Sequence, residues 1–82
     1  MDYKEKIKEI LLKDFIEVDD PKEVENNTPL ISSGILDSIT ILQLIDKLEK
    51  EFDIEFKAHE IDTDKFDSID LINDLVTSKK EN

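Results

Sequence analysis

The chain has 82 residues, and 22 acidic side chains against 11 basic ones give it a formal net charge of −11 at pH 7. This length allows one small domain with a modest core, and the charge disfavours nucleic acids and anionic membrane surfaces as partners, since both attract basic proteins. The chain contains no cysteine, which excludes disulfides, a thiol nucleophile of its own and a zinc–thiolate cluster.

The first predicted element is an amphipathic helix that ends around Ile16. Its apolar residues recur at three- and four-residue steps, and they are Tyr3, Ile7, Ile10, Leu11 and Phe15. Pro21 rules out a continuation of this helix. A loop from about Glu17 to Asp37 follows, and a loop of about 20 residues in a compact domain usually has a function.

The second predicted helix begins near Asp37 or Ser38, and either side chain can cap it. Its buried stripe is formed by Ile41, Leu44, Ile45, Leu48 and Phe52. Ile39 and Leu42 are apolar but lie beside this stripe. These two side chains either widen the contact with the core, since most helices have a broad apolar face, or form a small exposed patch for partners.

After the second helix, the pattern predicts an extended connector in which Ile54 and Phe56 reach into the core. A short helical turn is predicted around Ala58 to Ile61. The last helix is predicted from about Asp67 to Thr77, and Phe66 stands just before it in the position of a hydrophobic staple.

These elements predict an all-α fold: a small four-helix bundle of three main helices and one short helix, with a long loop between helices 1 and 2. The domain is expected to span residues 1–78, and residues 79–82 are expected to form a disordered tail. No apolar segment resembles a signal peptide or approaches the length of a membrane span. We therefore expect a cytoplasmic protein that does not insert into a membrane.

Two Asp-Ser pairs, Asp37-Ser38 and Asp67-Ser68, each precede an apolar helix. Capping is the ordinary role of such a serine, because its oxygen accepts a hydrogen bond from an unpaired backbone N–H of the first turn. Ser38 differs from Ser68 in its context. It follows the long loop and Gly34, the only glycine in the chain, which permits backbone angles that other residues avoid.

Two other features resemble metal sites but lack the required ligands. The segment that begins at Asp62 starts like a calcium loop, but Phe66 stands where a polar ligand is needed and Asp67 where the turn glycine belongs. His59 is the only histidine, so a metal site built on imidazoles is excluded and we expect His59 at the surface. A chain this small also offers no evident cleft for an acid–base pair. We predict no metal site and no catalytic residue.

The segment from Thr28 to Ile39 resembles the attachment region of acyl and peptidyl carrier proteins. The resemblance covers nearly the whole chain: helix, long loop, Asp-Ser helix, short helix and final helix. It implies that Ser38 receives a covalent 4′-phosphopantetheine arm from coenzyme A, transferred by a phosphopantetheinyl transferase whose metal ion lies near Asp37. The thiol of the arm then holds an acyl or aminoacyl group as a thioester, so that a chain without cysteine takes part in thiol chemistry.

The resemblance also implies a partner surface, because enzymes that act on this family commonly dock their basic surfaces on the second helix. Here that surface would include Ile39, Leu42, Asp46 and Glu49. The implied partners, besides the transferase, are an acyl- or aminoacyl-activating ligase and the acyltransferase or synthase enzymes of lipid or secondary-metabolite biosynthesis. The approach from Gly34 to Ser38 is more similar to peptidyl, D-alanyl and specialised acyl carriers than to fatty-acid carriers. The resemblance thus implies a stand-alone, specialised acyl carrier protein, monomeric and not an enzyme.

A second hypothesis stays open: an acidic helical adaptor that binds a basic protein partner and has no prosthetic group. The net charge fits this hypothesis, because an acidic domain meets basic partners quickly through electrostatic steering; alternatively, the acidic residues only keep the domain soluble. The two hypotheses differ at Ser38, which carries the arm in the first and only caps the helix in the second.

Overall fold

The computed structural model of the chain describes residues 3–16 and 24–81, and all regular secondary structure in these ranges is helical. It contains three α-helices: α1 (Lys4–Asp14), α2 (Ser38–Phe52) and α3 (Ile69–Glu81). The prediction of an all-α fold is confirmed, and α1 ends two residues before its predicted end. Within the described ranges, none of these helices combines the length and the apolar character that a bilayer crossing requires.

Two 3₁₀-helices, Ala58–Glu60 and Thr63–Phe66, connect α2 to α3. The first is the short helical turn that the sequence predicted, whereas the second has no counterpart among the predicted elements. The second contributes Phe66, which is fully buried and meets the ring of Phe56 edge to face at 5.7 Å. The connector before the two helices has no regular structure, and its apolar residues lie as predicted, with Phe56 buried and Ile54 packed against the core.

The core is assembled from one face of each α-helix. The buried side chains are Ile7, Ile10 and Leu11 of α1, Ile41, Leu44, Ile45, Leu48 and Phe52 of α2, and Ile69, Ile72 and Val76 of α3. Those of α2 are the predicted stripe, since residues three and four apart share a helix face. Each such burial stabilises the fold by about 1.5–3 kcal/mol before entropy is counted. α1 packs against α3, and the second 3₁₀-helix packs against both α2 and α3.

The long loop is described from Val24 to Asp37, and its predicted part at residues 17–23 lies outside the described residues. The described part contains no helix, so its backbone cannot satisfy its own hydrogen bonds in a regular ladder. It is fastened instead by buried side chains: Val24, Leu30 and Leu36 are all removed from solvent. These contacts fix the path of the chain as it approaches α2.

The C-terminal end of α3 is held by contacts with the last residue of α2 and with the first 3₁₀-helix. The Lys79 ammonium donates a hydrogen bond to the Glu60 carboxylate, and Lys80 Nζ donates to the carbonyl of Phe52 at 3.2 Å. The helix continues to Glu81, four residues beyond its predicted end. Residues 79–81 therefore lie in a helix where the sequence predicted a disordered tail, while the domain boundaries themselves stay a prediction.

Candidate functional site

The candidate site is the junction at which the long loop enters α2. Asp37 is the N-cap of α2: its backbone is extended, and its Oδ1 accepts the N–H of Thr40 at 2.8 Å. This bond is the main reason why the pKa of Asp37 lies below its ordinary value. Ser38 is consequently the first residue of the helix. The sequence left Asp37 and Ser38 as alternative caps, and a carboxylate has the further advantage of meeting the positive end of the helix dipole.

The two Asp-Ser pairs place their serines in different surroundings. Ser68 is only 8% exposed, and its Oγ accepts the N–H of Leu71 at 3.2 Å. The prediction that Ser68 caps the last helix is thereby confirmed. Ser38 is exposed, and its hydroxyl has no hydrogen-bond partner among the residues that the structure describes. Of these two hydroxyls, that of Ser38 is the one free to react with a partner.

The loop before Ser38 forms a closed turn between two buried leucines. The N–H of Leu36 donates to the carbonyl of Leu30 at 2.8 Å. Inside this turn, the N–H of Gly34 donates to the carbonyl of Ile31 at 3.0 Å, and Gly34 itself has a φ of +86°. A residue with a Cβ atom disfavours this conformation. The single glycine thus adopts backbone angles that other residues avoid, as its context in the sequence suggested, and this conformation lets the loop turn toward α2.

Asp67 fastens this loop to the N-terminal end of α3. Its Oδ1 accepts the N–H of Ile31 at 2.7 Å and that of Ser32 at 2.9 Å, and its Oδ2 accepts the Ser32 hydroxyl at 2.7 Å. Its backbone carbonyl accepts the N–H of Leu30 at 2.6 Å. We call these hydrogen bonds the Asp67 clasp. The bonds to the carboxylate, above all the one from the Ser32 side chain, lower the pKa of Asp67.

The Asp67 clasp was not predicted from the sequence, in which Asp67 was part of an Asp-Ser pair and of an incomplete calcium loop and marked the start of the last helix. Its carboxylate contacts residues 35 and 36 positions away, so no local spacing marks them. The sequence offers one indirect indication of the clasp, which comes from the hydrogen-bonding needs of the loop. A loop without regular structure needs acceptors for its backbone N–H groups, and the second Asp-Ser pair offers a carboxylate once its serine has taken the cap.

Ile39 and Leu42 form an exposed apolar patch beside Ser38. Their side chains are 68% and 59% exposed. Of the two alternatives that the sequence left open, the structure therefore supports the exposed patch and not a wider contact with the core. The binding of partners to this patch stays a prediction.

The two acidic residues predicted for the partner surface differ in their surroundings. Asp46 is exposed, and its carboxylate pairs with Lys50 at 3.0 Å. Glu49 is half-buried, and one of its carboxylate oxygens accepts the N–H of Phe56 at 2.8 Å. Glu49 therefore holds the connector that follows α2. The contribution of Asp46 and Glu49 to partner binding stays a prediction.

The segment that begins like a calcium loop is used for structure. Asp62 accepts the N–H of Asp64 at 3.0 Å and so caps the second 3₁₀-helix, while Phe66 enters the core. His59 is exposed, as the sequence predicted. In the described ranges, no group of three or more histidine, cysteine, aspartate or glutamate side chains is placed to hold a metal ion.

A family model described as a phosphopantetheine attachment site matches residues 5–70 of the chain. The match covers more than half of the 82 residues and contains both Asp-Ser pairs. No curated protein matches the chain. The geometry of the two serines is therefore needed to decide between the pairs.

Substitution of the two serines is expected to affect stability differently. Ser68→Ala should lower the free energy of unfolding by about 1 kcal/mol, the usual loss on removing an N-cap. Ser38→Ala should change it by less than about 0.5 kcal/mol, because an exposed side chain without a partner contributes little. Urea unfolding followed by circular dichroism measures both. An equally large loss for Ser38→Ala would contradict the assignment of Asp37 as the cap of α2.

The Asp67 clasp is expected to weaken in acid. Because the pKa of Asp67 in the folded state lies below its value in the unfolded chain, about 3.9, its contribution is complete above that value and is lost as the pH falls through the folded pKa. Asp67→Ala should thus destabilise the protein at neutral pH, and its difference from the wild type should shrink in acid. Urea unfolding of both proteins over a pH series measures this. A difference that persists at the lowest pH would show that the ionised carboxylate does not hold the loop.

Proposed function

We propose that Ser38 holds the prosthetic arm of this protein, because the chain belongs to the family of domains with a phosphopantetheine attachment site. Such domains are carriers and not enzymes: they hold a covalent 4′-phosphopantetheine and work with a phosphopantetheinyl transferase and biosynthetic enzymes. The observation that supports Ser38 is the state of the serine hydroxyls in the matched region. Ser32, Ser33 and Ser68 use theirs in hydrogen bonds, whereas that of Ser38 is exposed and has no partner among the described residues.

The junction also suits the phosphate of such an arm. Ser38 stands at the first position of α2, where backbone N–H groups lack intrahelical acceptors and the helix dipole favours negative charge. Asp37 already takes the N–H of Thr40, so a phosphodiester on Ser38 would lie next to a second anion. Divalent cations bind oxygen atoms of carboxylates and phosphates. Asp37 would therefore be an oxygen ligand for the metal ion of the transferase complex, and the positive charge of that ion would offset the repulsion between the two anions.

In the attachment step, the chain supplies the nucleophile and the transferase supplies its activation. A serine hydroxyl is a weak nucleophile until a base takes its proton, and Ser38 Oγ has no base bonded to it among the described residues. The proton therefore passes to a base of the transferase. Ser38 Oγ bonds to the phosphorus of coenzyme A that bears pantetheine, the phosphoanhydride bond breaks, and adenosine 3′,5′-bisphosphate leaves. The bound arm supplies a terminal thiol, which holds an acyl or aminoacyl group as a thioester.

The patch of Ile39 and Leu42 is the surface on which partner enzymes dock in this proposal. Residues 39, 42 and 46 follow one another at three- and four-residue steps, so they share one side of α2. Asp46 adds an exposed carboxylate at the far edge of the patch. Together with the net charge of −11, this favours enzymes with a basic rim around an apolar centre, such as the transferase, an activating ligase, and an acyltransferase or synthase.

The remaining parts of the proposal rest on the sequence. They are a specialised acyl carrier that acts as a monomer in the cytoplasm, and a four-helix arrangement with a long loop between its first two helices. The exposed junction at Ser38 is compatible with delivery of one cargo to several enzymes, since the hydroxyl lies at the surface.

Arm transfer tests the role of Ser38 directly. The unmodified protein is incubated with coenzyme A, magnesium and a broad-specificity phosphopantetheinyl transferase, and the intact mass is then measured. The wild type should gain the mass of one arm, Ser38→Ala should gain none, and the matched control Ser68→Ala should gain one. An arm on Ser38→Ala would overturn the assignment of the residue. A wild type without an arm would favour the acidic adaptor, which has no prosthetic group.

The docking surface is tested by comparing two single variants, each of which adds one carboxylate to the protein surface. Leu42→Asp puts a carboxylate into the patch, and the control Leu71→Asp puts one on α3, where Leu71 is 40% exposed. Leu42→Asp should raise the KM of the transferase for the carrier about fivefold or more, as the loss of a central interface residue does. Leu71→Asp should leave it unchanged. Equal KM values for the two variants would show that the patch is not the docking surface.

A further inference from the structure

We infer that Asp67 is a positioning residue for arm attachment: the clasp holds the loop ahead of Ser38 in the conformation that the transferase recognises. The inference rests on the proposed role of Ser38 and concerns a residue that acts through the loop. Three structural steps connect the Asp67 carboxylate to the serine.

The first step is the convergence of three consecutive residues on Asp67. The N–H groups of Leu30, Ile31 and Ser32 all donate to it, at distances of 2.6 to 2.9 Å. The same end of α3 holds the loop at a second place, where the N–H of Asp70 donates to the carbonyl of Asn26 at 2.9 Å. Successive amides bonded to one residue have little freedom to rotate, so the loop has a fixed path at this point.

The second step leads from the clasped residues to the start of α2. The carbonyl of Leu30 accepts the N–H of Leu36, and the carbonyl of Ile31 accepts the N–H of Gly34. The clasped residues therefore supply the acceptors that close the turn. Leu36 directly precedes Asp37, the N-cap of α2. A change at the clasp thus reaches the residue before Ser38 through one turn of the loop.

The third step is the rigidity of the element that bears the carboxylate. The residues on either side of Asp67 along the chain are buried: Phe66 and Ile69 completely, and Ser68 with only 8% of its surface exposed. The Ser68 hydroxyl also caps α3. In the turn itself, by contrast, Ser32, Ser33 and Ile35 are exposed. A group held by a packed element and a cap is suited to position a more exposed segment.

The effect of the clasp on arm attachment depends on the fraction of carrier molecules that have the correct loop conformation. A transferase that recognises one loop conformation binds only the fraction of carrier molecules that have it, and its apparent affinity falls in proportion. In every carrier molecule that is bound, with or without the clasp, Ser38 reacts from the same geometry. Loss of the clasp should therefore raise KM and leave kcat nearly unchanged.

The test compares transferase kinetics for the wild type, Asp67→Ala, Asp67→Asn and Ser32→Ala, at a temperature where circular dichroism shows each to be folded. Asp67→Ala should raise KM about tenfold and change kcat by less than about twofold, as expected for a depleted competent state. Asp67→Asn keeps an acceptor for both N–H groups, and Ser32→Ala keeps the carboxylate, so both should show smaller increases. Val76→Ala, which removes buried methyl groups two turns along α3 and leaves both the clasp and the Ser68 cap in place, controls for lost stability and should keep the wild-type KM.

Hydrogen exchange tests the conformation of the loop directly, without any enzyme. In NMR spectra of the unmodified proteins, Asp67→Ala should accelerate hydrogen exchange at the amides of Ile31 and Ser32, while amides in the middle of α2 keep their protection. Unchanged exchange in the loop, or a general loss of protection that Val76→Ala reproduces, would overturn a local positioning role.

The kinetic outcomes separate this inference from the proposed function. An arm on the wild type together with an unchanged KM for Asp67→Ala would overturn the role of Asp67 and leave that of Ser38 intact. A wild type that accepts no arm would overturn both. Should Asp67→Ala fail to fold, the two milder variants decide, since a wild-type KM in both Asp67→Asn and Ser32→Ala would refute the inference.

Discussion

The hydrogen bonds that the Asp67 carboxylate accepts from the loop are the constraint on which the site depends. The described loop has no regular structure, and polar backbone groups that leave water need partners. Asp67 supplies several of them from the start of α3, and α3 in turn packs against α1. The junction at Ser38 therefore takes its geometry from the far end of the sequence as well as from its own helix.

In the two Asp-Ser pairs, the aspartate and the serine have opposite roles. In the first pair, the aspartate caps the helix and the serine stays free; in the second, the serine caps the helix and the aspartate reaches out to the loop. The same two residue types thus yield an exposed hydroxyl at one helix and a loop anchor at the other. The difference follows from burial, because Ser68 is enclosed by the core while Ser38 faces solvent.

The parts of the fold that the sequence predicted are those set by local periodicity and local chemistry. The buried stripe of α2, the cap at Ser68 and the left-handed Gly34 all belong here, because each depends on residues within a turn of one another. The features it missed depend on distant partners. The clasp joins residues more than thirty apart in sequence, and the last turn of α3 is held by Lys79 and Lys80 contacts with Glu60 and Phe52. The spacing of residues within a short segment of sequence does not reveal partners that are so far apart.

The position of Ser38 just inside α2 has a consequence for the two states of a carrier. The start of the helix is closed by Asp37, and the nearest core contact is made by Ile41; neither uses the serine oxygen. Attachment of the proposed arm to that oxygen would therefore break no hydrogen bond of the described scaffold. Enzymes that distinguish a loaded carrier from an empty one would then have to recognise the arm and its cargo, and not a rearrangement at the start of α2.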